Sequence, residues 1–193
     1  MPFLPTTKRD AQLAHEKGHD VLLHLPMQPV KGKSSWLGPG AITTDLSDAE
    51  ILKRVTEAID DVPFAVGINN HMGSKATADE RVINIILKVC KERGLFFLDS
   101  RTTDKSVIGK IAKQLNVPST ENDLFLDDVY TVEHISKQMD KLNKLLKARS
   151  TMVAIGHVGP SGKKTAQVIK SSIPTMQRHA QFISISEMLQ LRK

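Results

Sequence analysis

A single cysteine, Cys90, leaves the chain without an internal disulfide and without a thiolate metal cluster. Cys90 falls on the apolar side of a predicted helix and reads as a small core residue. The lack of disulfides is compatible with either side of a membrane. No apolar run approaches the roughly 20 residues that span a bilayer, so no transmembrane segment is expected. Met1-Pro2-Phe3-Leu4-Pro5 is short, flanked by prolines and preceded by no basic segment, so no signal peptide is expected at the start of this sequence. There is no low-complexity tract and no internal repeat. One Trp and one Tyr leave few platforms on which bases could stack. The net charge of +6 is scattered over helix faces, as at Lys137, Lys141, Lys144 and Lys147. It reads as solvated surface, so no nucleic-acid partner is expected. Attraction to an anionic surface such as a cell wall is compatible with it.

Composition is ordinary for a globular protein, with 40% hydrophobic and 25% charged residues. The 193 residues suffice for one domain with a sizeable core. Predicted strands and helices alternate. A helix over 8–17 is closed by Gly18, and a strand covers 20–24. A loop rich in Gly, Pro and Ser runs from 26 to 44. Ser47-Asp48-Ala49-Glu50 has capping-box form and opens a helix to 61. A strand covers 63–68, and a second capping box at Thr77 opens a helix to Arg93. Further strands are expected at 95–98, 151–155 and 181–184. Helices are expected at 104–115, 131–148, 162–172 (ended by Pro174) and 186–191. Residues 116–130 read as irregular around Leu124–Leu126. The strands are apolar without strict alternation, which implies burial on both faces of parallel sheets and an α/β fold. Pattern alone leaves open sheet and barrel undecided.

Four apolar strands run into polar groups. Leu22-Leu23 leads to His24, Ile68 to Asn69-Asn70-His71, Leu98 to Asp99-Ser100-Arg101, and Ile155-Gly156 to His157. The carboxyl end of parallel strands is where α/β sites lie. Neutral imidazoles suit zinc and similar divalent metals, which makes His24 and His71 a candidate metal pair. A plain polar turn is the alternative. Asp99 and Arg101 read as a charge pair holding the site or as a substrate contact. Asp127-Asp128 reads either as a hydrogen-bond partner for substrate or a catalytic His, or as a polar turn before the helix at 131. His15, His134 and His179 read as surface residues, and His19 as support for a turn. "GHVGPSGKKT" (156–165) is not a phosphate loop, because the Gly required five positions before Gly162 is His157.

"HEKGHDVLLHLPMQP", "GINNHMGSKAT", "LFFLDSRTT", "NDLFLDD" and "AIGHVGP" together resemble the divergent polysaccharide deacetylase family, a distant branch of the NodB-type carbohydrate esterases. The resemblance covers essentially the whole chain, and "HLPM" and "NNHMGS" are its most specific words. It implies a distorted (β/α) barrel of parallel strands, usually fewer than eight. It implies a divalent metal such as zinc, held by an Asp and two His, with His24 and His71 at the ligating positions. Asp99, Arg101, Asp127 and His157 match catalytic positions, His157 that of the general acid. Met27, Asn69 and Asn70 fall at substrate-binding positions. The implied reaction is hydrolysis of an N- or O-acetyl group of a glycan outside the cytoplasm, at the cell envelope.

Two departures stand out. Val158-Gly159 stands where many members have a second His. The chain also starts after the point where the family places a strand ending in an Asp pair, so an N-terminally incomplete domain is expected. On that reading Phe3-Leu4 is the stub of a strand, and the strand at 20–24 has an unpaired edge and an uncovered apolar face. Metal would be held weakly, with Asp99 or water completing the ligands. A non-catalytic glycan-binding or regulatory module on the same fold is the alternative function.

Overall fold

The computed structural model describes residues 1–160 and 162–191. The elements, in order, are α1 (Thr7–Glu16), β1 (Val21–Met27), α2 (Asp48–Asp61), β2 (Ala65–Met72), α3 (Glu80–Arg93), β3 (Phe96–Asp99) and α4 (Ile108–Leu115). They continue with β4 (Ser119–Glu121), β5 (Leu124–Phe125), α5 (Val132–Leu145), β6 (Ala154–Ile155), α6 (Gly162–Met176) and α7 (Ile185–Leu191). Two compact units result. The first comprises Met1–Glu121 and the C-terminal segment from Ser184; the second is Asn122–Ile183.

The first unit carries a parallel sheet in the order β1-β2-β3-β4. One face is packed by α2, α3 and α4 through Ile51, Val55, Val82, Ile86, Ile108 and Ile111 against Leu23, Leu25, Ile68 and Phe97. Cys90 lies in this core, and burial pushes its thiol up to about 12, so it stays protonated at neutral pH. The second unit pairs β5 with β6 in parallel under α5 and α6. Leu124, Leu126, Ile135, Met139, Leu142 and Val168 form its core. The parallel α/β architecture is as expected, but among the described residues the strands do not close into a barrel.

β1 is an edge strand, and beyond it the described residues add only a bridge between Met27 and Ile42. Pro26 fits such an edge, because its carbonyl faces Ile42 N–H on the side away from β2. The apolar face of β1 is covered rather than open: Val21, Leu23 and Leu25 are buried. Phe3 and Leu4 form no strand. They lie in a turn, where the Phe3 N–H donates to Asp61.

Several boundaries differ from expectation. β1 and β2 run on through the polar residues, because the parallel ladder continues to the Met27–Met72 pair. Thr77 does not cap α3; its hydroxyl is buried and donates to the Gly73 carbonyl at 2.8 Å. Asp79 accepts the Val82 N–H instead. β4 is short and polar and so gave no periodic signal. α6 passes through Pro174, which lies in its last turn and removes only one donor there. Residues 181–184 form no strand; the start of α7 is tied to Asp20, which accepts from Ser186 N and Oγ.

Gly67 is required by packing. A Cβ at this position would stand 2.5–2.7 Å from the Phe96 ring, which lies across it from β3. Gly67→Ala is expected to destabilise the protein by about 1–3 kcal/mol through overpacking. In chemical denaturation, Phe96→Leu should recover part of that loss, so that the double variant costs less than the sum of the singles. Additive costs would show that the ring and the glycine are not coupled.

Candidate metal centre and histidine dyad

In the first unit, register brings the two candidate ligands together. His24 pairs with Asn69, and His71 lies two residues further along β2, so both imidazoles share one face. His24 is therefore mid-strand and not at a strand end. Its Nε2 lies 3.2 Å from His71 Nδ1, with the rings edge to face at 5.0 Å. His71 Nε2 faces the Trp36 carbonyl at 3.1 Å. A carbonyl only accepts, so that nitrogen carries the hydrogen, and neutral His71 is bare at Nδ1, towards His24.

This spacing fits a metal. Two imidazole nitrogens bound at about 2.0–2.1 Å in a tetrahedral shell stand roughly 3.3 Å apart. Among the described residues no third His, Cys, Asp or Glu joins the pair. Asp99 is turned elsewhere. Pairing with Glu121 puts it out of step with Leu98, which shares the row of Asn69 and His24, so Asp99 belongs to the opposite face. Its Oδ1 accepts the Arg101 N–H at 2.8 Å. Arg101, at φ 53°, directs its guanidinium to Glu121 at 3.5 Å, not to Asp99. The two residues shape the turn after β3, and they do not form the expected charge pair.

The three residues expected to meet substrate are placed differently. Met27 is fully buried and packs in the core. Asn70 is 1% exposed and ties β2 to the end of β3. It accepts from Ser100 N at 2.9 Å and donates to the Met72 carbonyl at 2.7 Å. Neither has surface to offer a ligand. Asn69 is half-buried between His24 Nδ1 at 3.0 Å and Ser100 Oγ at 3.3 Å.

In the second unit, β5 and β6 bring Asp127 beside His157. Asp127 is fully buried, and its Oδ1 faces His157 Nδ1 at 2.7 Å. Its Oδ2 accepts from His157 N at 2.8 Å and Thr165 Oγ1 at 2.7 Å. Burial pushes the Asp127 carboxyl up, but the His157 N–H, the His157 ring and the Thr165 hydroxyl together outweigh it and hold the carboxyl below its ordinary range. The His157 side chain is half exposed, stacked on Phe125 at 5.8 Å, and opens on a pocket with Gly156, Pro160, Lys164 and Ile169. Gly156 is required here, since a Cβ would meet Thr165 Cγ2 at 2.7 Å. The neighbouring Asp128 holds His134 at 2.6 Å, so His134 is partnered, and His15 stacks on Phe64.

A sequence model of the divergent polysaccharide deacetylase family matches residues 1–189. This chain belongs to that family. Among its relatives, an uncharacterised protein of Haemophilus influenzae is 34% identical over 97% of this chain and 65% of its own length. The uncharacterised protein YibQ of Escherichia coli is 32% identical over 90% of this chain and 54% of its own length. The chain thus spans less than two thirds of the length of these curated relatives. An uncharacterised protein of Agrobacterium tumefaciens, known from a crystal structure, shares the fold at a TM-score of 0.87 with 22% identity, over 95% of this chain and 74% of that one. Three residues of the sites had no signal of their own in the sequence. Trp36 lies in a loop, Ser100 follows a strand, and Thr165 is one of many threonines; only tertiary contacts single them out.

Proposed function

We propose that this family member is a metal-dependent deacetylase that hydrolyses N- or O-acetyl groups of a cell-envelope glycan. The observation that carries this reading is the His24–His71 pair, whose facing nitrogens are 3.2 Å apart. A divalent ion such as zinc held by His24 and His71 would supply a Lewis acid for an acetyl carbonyl and for water. The chain's own groups have separate tasks. Asp127 holds His157 through Nδ1, which leaves Nε2 to give or take a proton. Trp36, the only tryptophan, is 57% exposed while its carbonyl holds His71. Its indole is a flat apolar surface against which the C–H face of a sugar ring can pack.

The test is release of acetate from acetylated chito-oligosaccharides and peptidoglycan fragments by the chain supplied with zinc, cobalt or manganese. No turnover with any of these metals would overturn the proposal. Glycan binding that survives His24→Ala and His71→Ala, without turnover, would favour a non-catalytic binding module instead. If turnover is found, Trp36→Ala should raise KM about 3- to 10-fold, the loss of one stacking contact, with kcat little changed. An unchanged KM would remove Trp36 from the substrate contacts.

A further inference from the structure

We infer that Asn69 and Ser100 are positioning residues that fix the tautomer of His24 and so decide which nitrogen it turns to His71. The inference rests on the metal-site reading of His24 and His71 given above. Ser100 Oγ donates to the Asn70 carbonyl at 2.8 Å. A carbonyl only accepts, so the single hydroxyl proton is committed there. Towards Asn69, at 3.3 Å, the same oxygen can only accept. Asn69 must therefore present its amide nitrogen to Ser100 and its amide oxygen to His24 Nδ1, 3.0 Å away. An amide oxygen only accepts, so Nδ1 carries the hydrogen. Neutral His24 then carries its lone pair on Nε2, the nitrogen 3.2 Å from His71.

Ser100 cannot readily release this order, because its own N–H is held by Asn70 Oδ1 and the Asn70 amide nitrogen by the Met72 carbonyl. β1, β2 and the residue that follows β3 thus contribute one directed chain of hydrogen bonds. The Trp36 carbonyl does the same for His71 from the other side. Two lone pairs then face each other at a spacing that suits a shared cation. A flipped Asn69 would turn its N–H₂ to Nδ1, move the proton to Nε2 and close the gap. An outer partner that orients a ligating imidazole in this way typically sustains about 10- to 100-fold of metal affinity.

The experiment combines two readouts on the full chain. Long-range ¹H–¹⁵N correlation of the metal-free, histidine-labelled protein at mildly alkaline pH reports the His24 tautomer. Competition with a chromophoric chelator reports zinc affinity. Wild type is expected in the Nδ1–H form. Asn69→Leu should populate the Nε2–H form and weaken zinc about 10- to 100-fold. Asn69→Asp keeps an acceptor at Nδ1 and should restore both. If Asn69→Leu does not fold, Ser100→Ala carries the test, with a mixed tautomer expected. An Nε2–H wild type, or an Asn69→Leu variant with tautomer and affinity unchanged, would overturn the inference. A wild type with the Nδ1–H tautomer, lost in Asn69→Leu and restored in Asn69→Asp, that binds no zinc would refute the metal reading and uphold the positioning role.

Discussion

Replacing His71 by Ala is expected to weaken zinc binding more than about 100-fold, beyond the loss typical of an outer partner, because a ligand itself is removed. His24→Ala should have an effect of the same size. The two losses should not add: the first variant already breaks the 3.2 Å pair, so the double variant should bind little worse than either single one. Acetate release should fall with metal occupancy. Calorimetric titration of the metal-free chain with zinc measures all three variants. Loss of one of two zinc equivalents in each single variant would mean that the two imidazoles belong to different sites. Unchanged affinity in either single variant would dismiss that residue as a ligand. His134→Ala serves as a control, since His134 is engaged with Asp128 in the second unit.

The second large effect is expected from Asp127→Asn. Asn has one acceptor oxygen where Asp has two. His157 N–H and the Thr165 hydroxyl both point at Oδ2, so the amide oxygen should settle there. The amide nitrogen is then left facing His157 Nδ1, at the 2.7 Å position of Oδ1. It can only donate, so Nδ1 must accept and the imidazole proton moves to Nε2. On the proposed role of His157 as general acid–base group, the wrong tautomer should lower kcat about 10²- to 10⁴-fold with KM little changed. Nitrogen chemical shifts of His157 would show the switch directly. A normal kcat in a variant with a switched tautomer would exclude His157 from proton transfer.

The same residue shapes acid stability. The folded-state carboxyl of Asp127 is held below its ordinary value of 3.8. The unfolded chain therefore takes up the proton first. The carboxylate contributes stability above that value, and the contribution is lost as pH falls below it. Asp127→Asn should remove this part of the acid sensitivity, which urea midpoints measured between neutral and acidic pH would reveal.

Much of this was legible in the order of residues. Alternating apolar runs and capped helices announce a parallel α/β fold, because burial on both faces requires strands without polar alternation. Ser47 and Thr131 mark their helices correctly, accepting the N–H of Glu50 and His134. A polar hydroxyl three residues before a free N–H is a local signal. The family was legible too, in words such as "HLPM" and "NNHMGS". What sequence order could not settle was direction. Asn69 and Asn70 are neighbours with the same side chain, yet one faces His24 and the other is buried under the sheet. Strand alternation sends them to opposite faces, and only the register with β1 says which is which. Likewise Asp99 read as a site carboxylate, but pairing with Glu121 turns it away from the histidines. The chemistry of each residue type is local; its partner is set by strand register and by loops closing from far along the chain, as Trp36 does on His71 and Thr165 on Asp127.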